Sequence, residues 1–303
     1  MPTERRLICA MATPLRADFT PHHELLLAHA HDLLAHGCDG LAVFGTSGEG
    51  PCLAVAQRRA GLESLLEAGI APDRLIVGAA SASLADAIDL TRHARSSGIE
   101  RVLLMPPFFL RDAASEEGLF RFYAAVIEAA DPGLRLLLYH FPAISGVRLS
   151  VDLIGRLRKT FGDVVHGIKD SGGDFGNTAA YLGAFPQLTL YTGTEVHARR
   201  VLAAGGAGTI CGLANVLPQA MRRYVDAPTD DEAERWQALI KAVDGAICVG
   251  PFFPACKAAI ALATGAEDWR RVVPPLSPLD DEAFGRLRAA LAAIAERHGA
   301  PVG

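Results

Sequence analysis

Lys169 is the residue of this sequence most suited to covalent chemistry, because it ends an apolar run that begins at Val164. Such a run is typical of a strand buried on both faces, and a buried lysine is costly unless it is paired, discharged or chemically used. One interpretation is a nucleophile that forms a Schiff base, since burial and nearby cations can bring a lysine to a pKa of about 7 to 8. The other is a side chain that reaches the strand end and pairs with Asp170. The segment alone leaves both interpretations open.

Residues 45–50, which read Gly-Thr-Ser-Gly-Glu-Gly, follow another apolar run and precede a predicted helix. The backbone N–H groups of such a loop, together with the hydroxyls of Thr46 and Ser47, suit a carboxylate or a phosphate. The segment is not a P-loop, because the lysine and hydroxyl of that motif are absent. A simple glycine turn is the alternative interpretation.

Tyr139 lies near the end of a third apolar run, in residues 139–142, which read Tyr-His-Phe-Pro. A lone buried tyrosine commonly bonds its hydroxyl to the backbone, and that structural role is one interpretation. Beside a Schiff-base lysine it has another use, because carbinolamine formation, dehydration and carbon–carbon cleavage all move protons. A phenol hydrogen-bonded to a threonine hydroxyl can transfer them.

The apolar runs predict the elements that must position these residues. Eight runs alternate with seven segments of helical spacing, which indicates parallel strands joined by helical crossovers. Eight repeats in about 210 residues favour a (β/α)₈ TIM barrel, an α/β fold, over an open doubly wound sheet, and its active site would lie at the C-terminal ends of the strands. The predicted strands are residues 7–12, 40–45, 75–80, 102–107, 136–141, 164–169, 188–193 and 208–212.

Four further helices are predicted after the eighth strand, at residues 218–225, 230–247, 255–264 and 282–298. No change of composition and no low-complexity linker separates them from the barrel. We therefore expect a barrel over residues 1–226 and a C-terminal helical extension, residues 227–303, that packs on it.

The composition argues against several classes of function. The 303 residues are half hydrophobic and carry a net charge of −5, with no basic run and interleaved aromatic residues of the kind that bind nucleic acid. The apolar run that follows residues 1–6 is too short for a signal sequence or a membrane span, so a cytoplasmic protein without membrane contact is expected. The six cysteines form no Cys-x-x-Cys pair and are expected to be reduced thiols of the core.

Neither a metal site nor a dinucleotide site is expected. Five of the ten histidines lie between residues 22 and 36 without a carboxylate cluster at ligand spacing, and a solvated helix face is the expected explanation. His140 and His166 stand at odd offsets from Tyr139 and Lys169, so on regular strands they point away from them. The glycine-rich residues 205–208 precede a strand instead of following one, which argues against a cofactor loop.

Three motifs together resemble the dihydrodipicolinate synthase / N-acetylneuraminate lyase family of class I aldolases. They are residues 45–50, Tyr139 with Pro142 and Gly146, and residues 167–171, which read Gly-Ile-Lys-Asp-Ser. Each falls at a predicted strand end in the right order, and the likeness extends from about residue 7 to the helices beyond Lys257. The resemblance implies a (β/α)₈ barrel with C-terminal helices, a homotetramer, no metal or organic cofactor, and a pyruvate substrate bound as an imine.

The resemblance also implies roles for individual residues. Lys169 would be the Schiff-base nucleophile and Tyr139 the group that transfers protons. Thr46 and Ser47 would bind the carboxylate of pyruvate, with Thr46 linked to the proton relay. Three further positions would line the substrate pocket, with the carboxylate among them placed to bond substrate hydroxyls: Gly193, Glu195 and Ile210.

Two substrate-binding positions depart from the synthases of that family. Synthases carry an arginine after the strand-five tyrosine that binds the carboxylate of aspartate semialdehyde, and this sequence has Ile144 there. A bidentate charge-assisted contact is therefore missing unless Arg111 or Arg148 replaces it. On the fourth strand, where synthases carry a tyrosine that reaches the neighbouring subunit's site, this sequence has Phe108 and Phe109, and a phenyl ring cannot transfer protons.

These departures favour a lyase that forms a Schiff base with pyruvate or another 2-oxo acid and cleaves or dehydrates a 2-keto-3-deoxy sugar acid or a related substrate. One alternative is 4-hydroxy-tetrahydrodipicolinate synthase, which joins pyruvate to aspartate semialdehyde. Another is a non-catalytic relative that binds a 2-oxo acid, although a binding protein has no need of the nucleophile Lys169 with Tyr139 and Thr46. A metal-dependent aldolase is a further alternative, and a chelator would inactivate it.

Overall fold

The computed structural model describes residues 5–130 and 132–299, and the predicted ranges that include residues 1–4 and 300–303 extend outside them. Within the described residues, eight parallel strands close into a barrel in sequence order, and the eighth pairs with the first. The TIM barrel predicted from eight apolar runs is therefore confirmed. The strands are β1 Arg6–Ala10, β2 Gly40–Val43, β3 Leu75–Gly78, β4 Arg101–Leu104, β5 Arg135–His140, β6 Val165–Asp170, β7 Thr189–Thr192 and β8 Gly208–Cys211.

Helices join the strands and cover the outside of the barrel. Their starts follow local chemistry, since the hydroxyls of Ser83 and Ser115 accept the backbone N–H groups of Asp86 and Gly118 in the first turns of two of them. Gly98 follows the first of these two helices at a φ of 81°, a conformation that glycine adopts at little cost. The helices around the barrel are α1 His23–Ala35, α2 Val55–Glu67, α3 Leu84–Ser96, α4 Glu116–Ala129, α5 Pro142–Ser145, α6 Val151–Phe161, α7 Phe175–Ala184, α8 Ala198–Ala203 and α9 Pro218–Asp226.

Apolar side chains fill both surfaces of the barrel wall, as expected for strands that read as continuous apolar runs. Alternate residues form a cluster inside the barrel, where Ile8, Leu103 and Leu137 pack with Tyr139 and Tyr191. The residues between them pack outward against the helices. This alternation decides which polar residues at the strand ends reach the interior.

Three helices follow the barrel, α10 Asp230–Ile247, α11 Phe252–Thr264 and α12 Asp281–His298. The predicted boundary at residue 226 coincides with the end of α9. The middle helix of the three, α11, contacts the barrel rim, because its Lys257 is fully buried and the thiol of Cys256 lies 3.9 Å from the carbonyl oxygen of Gly212. Among the described helices none is by itself long and apolar enough to cross a membrane; α10 and α11 pass that test only as a pair, and they are bent by 111°.

The expectation of a solvated histidine face on α1 is wrong for His29. This residue is buried and its Nε2 lies 3.0 Å from Oδ1 of Asn215, which also accepts the backbone N–H of Ala12. Its ring meets the ring of Trp269 edge-on at 4.8 Å. Burial lowers the pKa of His29, opposed by the bond to Asn215. The residue therefore fastens α1 to the turn that follows β8.

The expectation that His166 points away from the barrel interior is also wrong, because β6 is irregular. Leu136 pairs with Val165 and the next residue, Leu137, pairs with Gly167. His166 is thus an extra residue, which shifts the alternation of side chains by one position. Its Nε2 lies 3.4 Å from the hydroxyl of Thr189 at the N-terminal opening of the barrel.

Candidate active site

Lys169 and Tyr139 are direct neighbours across β5 and β6, near the C-terminal ends of both strands. Both side chains point into the barrel, where Lys169 is 5% exposed and Tyr139 is 3% exposed. The Nζ atom of Lys169 lies 4.2 Å from the centroid of the Tyr139 ring. Strand register therefore places an amine and a phenol together inside an apolar barrel.

Asp170 lies on the opposite face of β6 and is not the partner of Lys169 that one interpretation of the sequence required. Its carboxylate accepts hydrogen bonds from the hydroxyl of Thr178 at 2.7 Å, the backbone N–H of Gly172 at 2.9 Å and the amide of Asn177 at 3.1 Å. Successive residues of a strand point to opposite faces, so pairing the two would require distortion of the strand. The carboxylate instead fixes the turn from β6 into α7.

The hydroxyl of Thr46 donates a hydrogen bond to the phenol oxygen of Tyr139 at 3.3 Å. Thr46 belongs to the loop of residues 45–50 after β2, so the two motifs meet across the rim. Phe44 and Glu49, on either side of Thr46, both have a φ of 54°, in the left-handed region that non-glycine residues rarely adopt. Backbone strain of this kind persists only where the surroundings enforce it.

A buried ion pair holds this loop. Glu49 Oε1 lies 2.7 Å from Nζ of Lys257, and Glu49 Oε2 accepts the backbone N–H of Val273 at 2.6 Å. Burial lowers the pKa of Lys257, and the adjacent Glu49 opposes this shift. Neither Glu49 nor Lys257 was among the residues predicted to form the site, although a lone lysine within the apolar residues of α11 was a usable signal.

Gly193 and Gly212 provide room for side chains at the rim. A Cβ atom on Gly193 would lie 1.9 Å from the hydroxyl oxygen of Ser171 and 3.3 Å from Cε of Lys169. A Cβ atom on Gly212 would lie 2.7 Å from the ring of Phe252 and 3.4 Å from the hydroxyl oxygen of Ser47. Gly193 and Ser47, both predicted as site residues, therefore lie at the same rim as Lys169.

Glu195 and Ile210 occupy the wall formed by β7 and β8. Ile210 is fully buried in the interior of the barrel. Glu195 Oε1 accepts the backbone N–H groups of Gly212 and Leu213, each at 3.1 Å. Burial raises the pKa of Glu195, and hydrogen bonds from its own backbone N–H and that of Leu213, together with the Lys169 charge, oppose that rise. One carboxylate oxygen thus holds the loop after β8, a contact that the resemblance did not imply.

Phe109 and Ile144, the two departures from the synthase pattern, lie in loops after β4 and β5 and are 79% and 43% exposed. Neither side chain belongs to the buried group around Lys169. Arg111 packs its aliphatic chain on Gly146, where a Cβ atom would lie 2.3 Å from the arginine Cδ. A guanidinium from the neighbouring loop thus lies beside the loop that lacks an arginine at position 144.

His140 faces outward, as predicted. It is 1% exposed, its Nδ1 accepts the backbone N–H of Leu149 at 3.2 Å, and its ring meets Tyr181 edge-on. Burial lowers the pKa of His140, opposed by Asp170. Across residues 5–130 and 132–299 no group of three or more histidine, cysteine, aspartate or glutamate side chains is arranged to hold a metal ion. The chemistry that this rim offers is that of an amine, a phenol and hydroxyls.

Known proteins resemble this chain over nearly its whole length. Residues 3–294 match the model of the dihydrodipicolinate synthetase family. A DapA-like lyase of Chloroflexus aurantiacus is 33% identical over 292 residues, which cover 96% of this chain and 97% of the relative. A 4-hydroxy-tetrahydrodipicolinate synthase of Acidiphilium cryptum is 30% identical over 297 residues, which cover 95% of this chain and 97% of the relative.

Solved structures with the same fold include proteins with different substrates. Dihydrodipicolinate synthase from Agrobacterium tumefaciens superposes with a TM-score of 0.88 at 33% identity, over 96% of this chain and 99% of that one. YagE from Escherichia coli K12, solved with pyruvate, gives 0.86 at 25% identity over 96% and 98%. A 2-keto-3-deoxygluconate aldolase of Sulfolobus solfataricus gives 0.87 at 23% identity over 96% and 97%, which reports on the fold alone.

Proposed function

This chain belongs to the dihydrodipicolinate synthetase family and is a lyase, and we propose that it acts on 2-oxo acids through a Schiff base on Lys169. The observation that carries the proposal is the position of this amine, buried in the barrel and 4.2 Å from the ring of Tyr139, while Asp170 bonds to other groups. A buried amine placed beside a phenol suits nucleophilic attack on a carbonyl.

In the proposed reaction, the neutral amine of Lys169 attacks the C2 carbonyl of the 2-oxo acid, and Tyr139 returns a proton to the oxygen as a carbinolamine forms. Loss of water gives the iminium ion. In the cleavage direction, the base formed at Tyr139 removes the proton of the C4 hydroxyl, the C3–C4 bond breaks, and its electron pair passes to the iminium nitrogen. The aldehyde leaves, the enamine takes a proton at C3, and water releases pyruvate.

Thr46 and Ser47 are proposed to hold the substrate carboxylate, since they lie in a loop of backbone N–H groups next to Tyr139. Gly193 keeps space beside Cε of Lys169 for the reacting carbon atoms. Glu195 and Ile210 would border the distal part of the substrate. No step requires a metal ion or an organic cofactor, so activity is expected to persist in the presence of a chelator.

The preferred substrate is a 2-keto-3-deoxy sugar acid or a related compound. Support comes from Ile144, which offers no charge to a second carboxylate at the place where synthases carry an arginine. Sugar-acid substrates present hydroxyls in that region, and these need no guanidinium. Cleavage and dehydration of such an acid both begin with the same iminium ion.

Synthase activity with aspartate semialdehyde is the second candidate, and a specific contact favours it. Arg111 packs on Gly146, two residues from Ile144, and its guanidinium can take the place of the missing arginine. If so, Arg111→Gln should raise the KM for aspartate semialdehyde with little effect on the KM for pyruvate. Efficient turnover of the semialdehyde by the wild-type enzyme would count against the sugar-acid assignment.

The Schiff base can be tested by incubating the protein with pyruvate and borohydride and mapping the product by mass spectrometry. A reduced adduct is expected on Lys169 and not on the other three lysines, Lys159, Lys241 and Lys257. Lys169→Arg should abolish the adduct, whereas Lys159→Arg, a change on the exposed end of α6, should leave it intact. Absence of an adduct in the folded wild-type protein would refute the proposal. A panel of 2-keto-3-deoxy acids, sialic acid and aspartate semialdehyde then separates the substrates.

A cytoplasmic homotetramer is proposed from the family resemblance. The apolar side chains of Phe109 and Leu110, 79% and 70% exposed, support an association of subunits through the loop after β4. Light scattering of the purified protein gives the mass of the assembly, and a monomer at micromolar concentration would contradict this proposal.

A further inference from the structure

The opening at the N-terminal ends of the strands, opposite to the end that carries Lys169, has an unusual lining. Arg6, Arg101 and Arg135 are the first residues of β1, β4 and β5. Side chains alternate along a strand, and the residues two positions later belong to the interior cluster, so all three arginines point into this opening. Branched apolar side chains ordinarily fill the interior of such barrels. The residues two positions later are Ile8, Leu103 and Leu137.

These arginines line a cavity of about 690 Å³. His166, Thr189 and Tyr191 line the same cavity and add an imidazole and two hydroxyls. The irregularity in β6 is what brings His166 to this side of the strand. The volume falls within the range of small-molecule sites, roughly 300–1,000 Å³.

The charges in this cavity are close enough to act on one another. Burial lowers the pKa of Arg101, and the positive charges of Arg6 and Arg135 lower it further, while Tyr191 and Asp73 oppose the shift. Several positively charged guanidinium groups thus lie close together at a partly buried site. An anion placed between them would remove this repulsion.

The same positive charges act on the imidazole of His166. Burial lowers the pKa of His166, and the positive charges of Arg135, Arg101, Arg158 and Arg6 lower it further. Arg135, Arg101 and Arg6 act on the ring from neighbouring strands, and Arg158 acts on it from α6. A neutral imidazole can donate one hydrogen bond to an anion, and a second negative charge nearby would favour its protonated form.

Arg135 and Arg101 each use part of their guanidinium group for a contact at this end of the barrel. Glu100 Oε2 lies 3.0 Å from Nε of Arg135, and Nη2 of Arg101 donates to the backbone carbonyl of Asp73. Each guanidinium has five N–H donors, and each of these contacts uses one nitrogen. Among the residues that the structure describes, the cavity lining includes Arg101 and Arg135 together with the acidic residues Asp73 and Glu100.

We propose that the N-terminal opening of the barrel is a binding site for a small dianion with oxygen acceptors, held by Arg101 and Arg135 with His166. The planar guanidinium fork matches phosphate and carboxylate oxygens, so the ligand chemistry is that of inorganic phosphate or a short dicarboxylate. The site is separate from the chemistry at Lys169 and does not depend on the proposed function.

Titration calorimetry with inorganic phosphate tests this site, at an ionic strength held constant with sodium chloride. The wild-type protein should bind phosphate, and Arg101→Gln and Arg135→Gln should each raise the Kd at least tenfold, because each removes a charge-assisted contact. Arg121→Gln, the same change at an exposed position of α4, is the matched control and should leave the Kd unchanged. Equal circular dichroism spectra and equal midpoints of thermal unfolding in all four proteins show that the fold is intact.

A second arm distinguishes the two sources of the anion. Malonate replaces phosphate in the same titrations, and binding of either anion that is lost in the Arg101 and Arg135 variants supports the site. A histidine NMR titration, with the His166 signal assigned by its loss in His166→Gln, should show the pKa of His166 rising when the anion is bound. Failure of both anions to bind, or binding that is equal in the variants and leaves His166 unaffected, overturns the proposal.

Discussion

Lys257 Nζ and Glu49 Oε1 lie 2.7 Å apart, which joins α11 of the C-terminal extension to the loop that carries Thr46. Both side chains are 1% exposed. We expect Glu49→Gln to lower the free energy of unfolding by about 3–5 kcal/mol, because it leaves the ammonium of Lys257 buried without its counter-charge. Urea unfolding at a fixed protein concentration measures the change.

Glu282→Gln is the control for this prediction, since it breaks an ion pair with Arg286 in which both partners are largely exposed, and such pairs contribute at most about 1 kcal/mol. The double variant Glu49→Gln/Lys257→Met should recover part of the lost stability because it removes both charges. If the double variant instead loses the sum of the two single effects, the residues do not act as a pair.

Tyr139→Phe should lower kcat by about 10²-fold or more, because it removes the hydroxyl that is proposed to move protons between Lys169 and the substrate. Thr46→Val should have a smaller effect of about 2- to 10-fold, since it removes one neutral hydrogen bond to that hydroxyl. Steady-state kinetics with the substrate identified in the panel provides the measurement. Tyr224→Phe, which removes a buried tyrosine hydroxyl bonded to the carbonyl of Val196, is the control. A Tyr139→Phe enzyme with wild-type kcat would show that another group transfers the protons.

Gly193→Ala should reduce activity strongly, because its methyl group would lie 1.9 Å from the hydroxyl oxygen of Ser171 and 3.3 Å from Cε of Lys169. The rate of borohydride trapping with pyruvate reports on the amine directly. Removing the obstructing side chain in Gly193→Ala/Ser171→Gly should restore much of that rate. Gly183→Ala, in α7 with no atom within 4 Å of the added methyl group, should keep full activity and gain about 0.5–1 kcal/mol of stability. Full activity of the single Gly193 variant would contradict the assigned geometry.

Acidification should destabilise the protein in part through His29. Burial holds the pKa of His29 below its ordinary value in the folded state, so the unfolded chain binds the proton more readily. The stability that the neutral ring contributes is present above the unfolded pKa of about 6.5 and is lost as the pH falls through the lower folded value. Urea unfolding between pH 7.5 and roughly pH 5 should therefore show a smaller loss of stability for His29→Gln than for the wild type. His31→Gln, at an exposed position, should follow the wild-type curve, and equal slopes for all three proteins would exclude His29 as a contributor.

Much of the barrel could be predicted because its strands and helices are specified by residues that are close together in the sequence. Continuous apolar runs, helical spacing and serine caps at residues such as Ser83 and Ser115 depend on neighbouring residues in the sequence, and the structure has strands and helices at those places. Lys169 could be selected in the same way, since a lysine at the end of an apolar strand is costly wherever the strand packs.

The contacts that could not be predicted depend on distant residues or on a single irregularity. Glu49 and Lys257 are 208 residues apart, and His29 and Asn215 are 186 apart, so the segment around one residue does not identify its partner. His166 was misplaced because the period-two pattern of a strand gives no warning of an extra residue. Thr46 and Tyr139 were linked correctly only through the family resemblance.

Through Lys257, α11 links the part of the chain after residue 226 to the loop after β2. A protein that ended at residue 226 would contain every strand, Lys169, Tyr139 and Thr46, but it would keep the carboxylate of Glu49 in the interior and lose the amine that neutralises it. It would also expose Gly212 where the ring of Phe252 now lies. The last quarter of the sequence thus contributes no atom to the proposed bond-making steps, yet it holds the loop that is proposed to bind the substrate carboxylate.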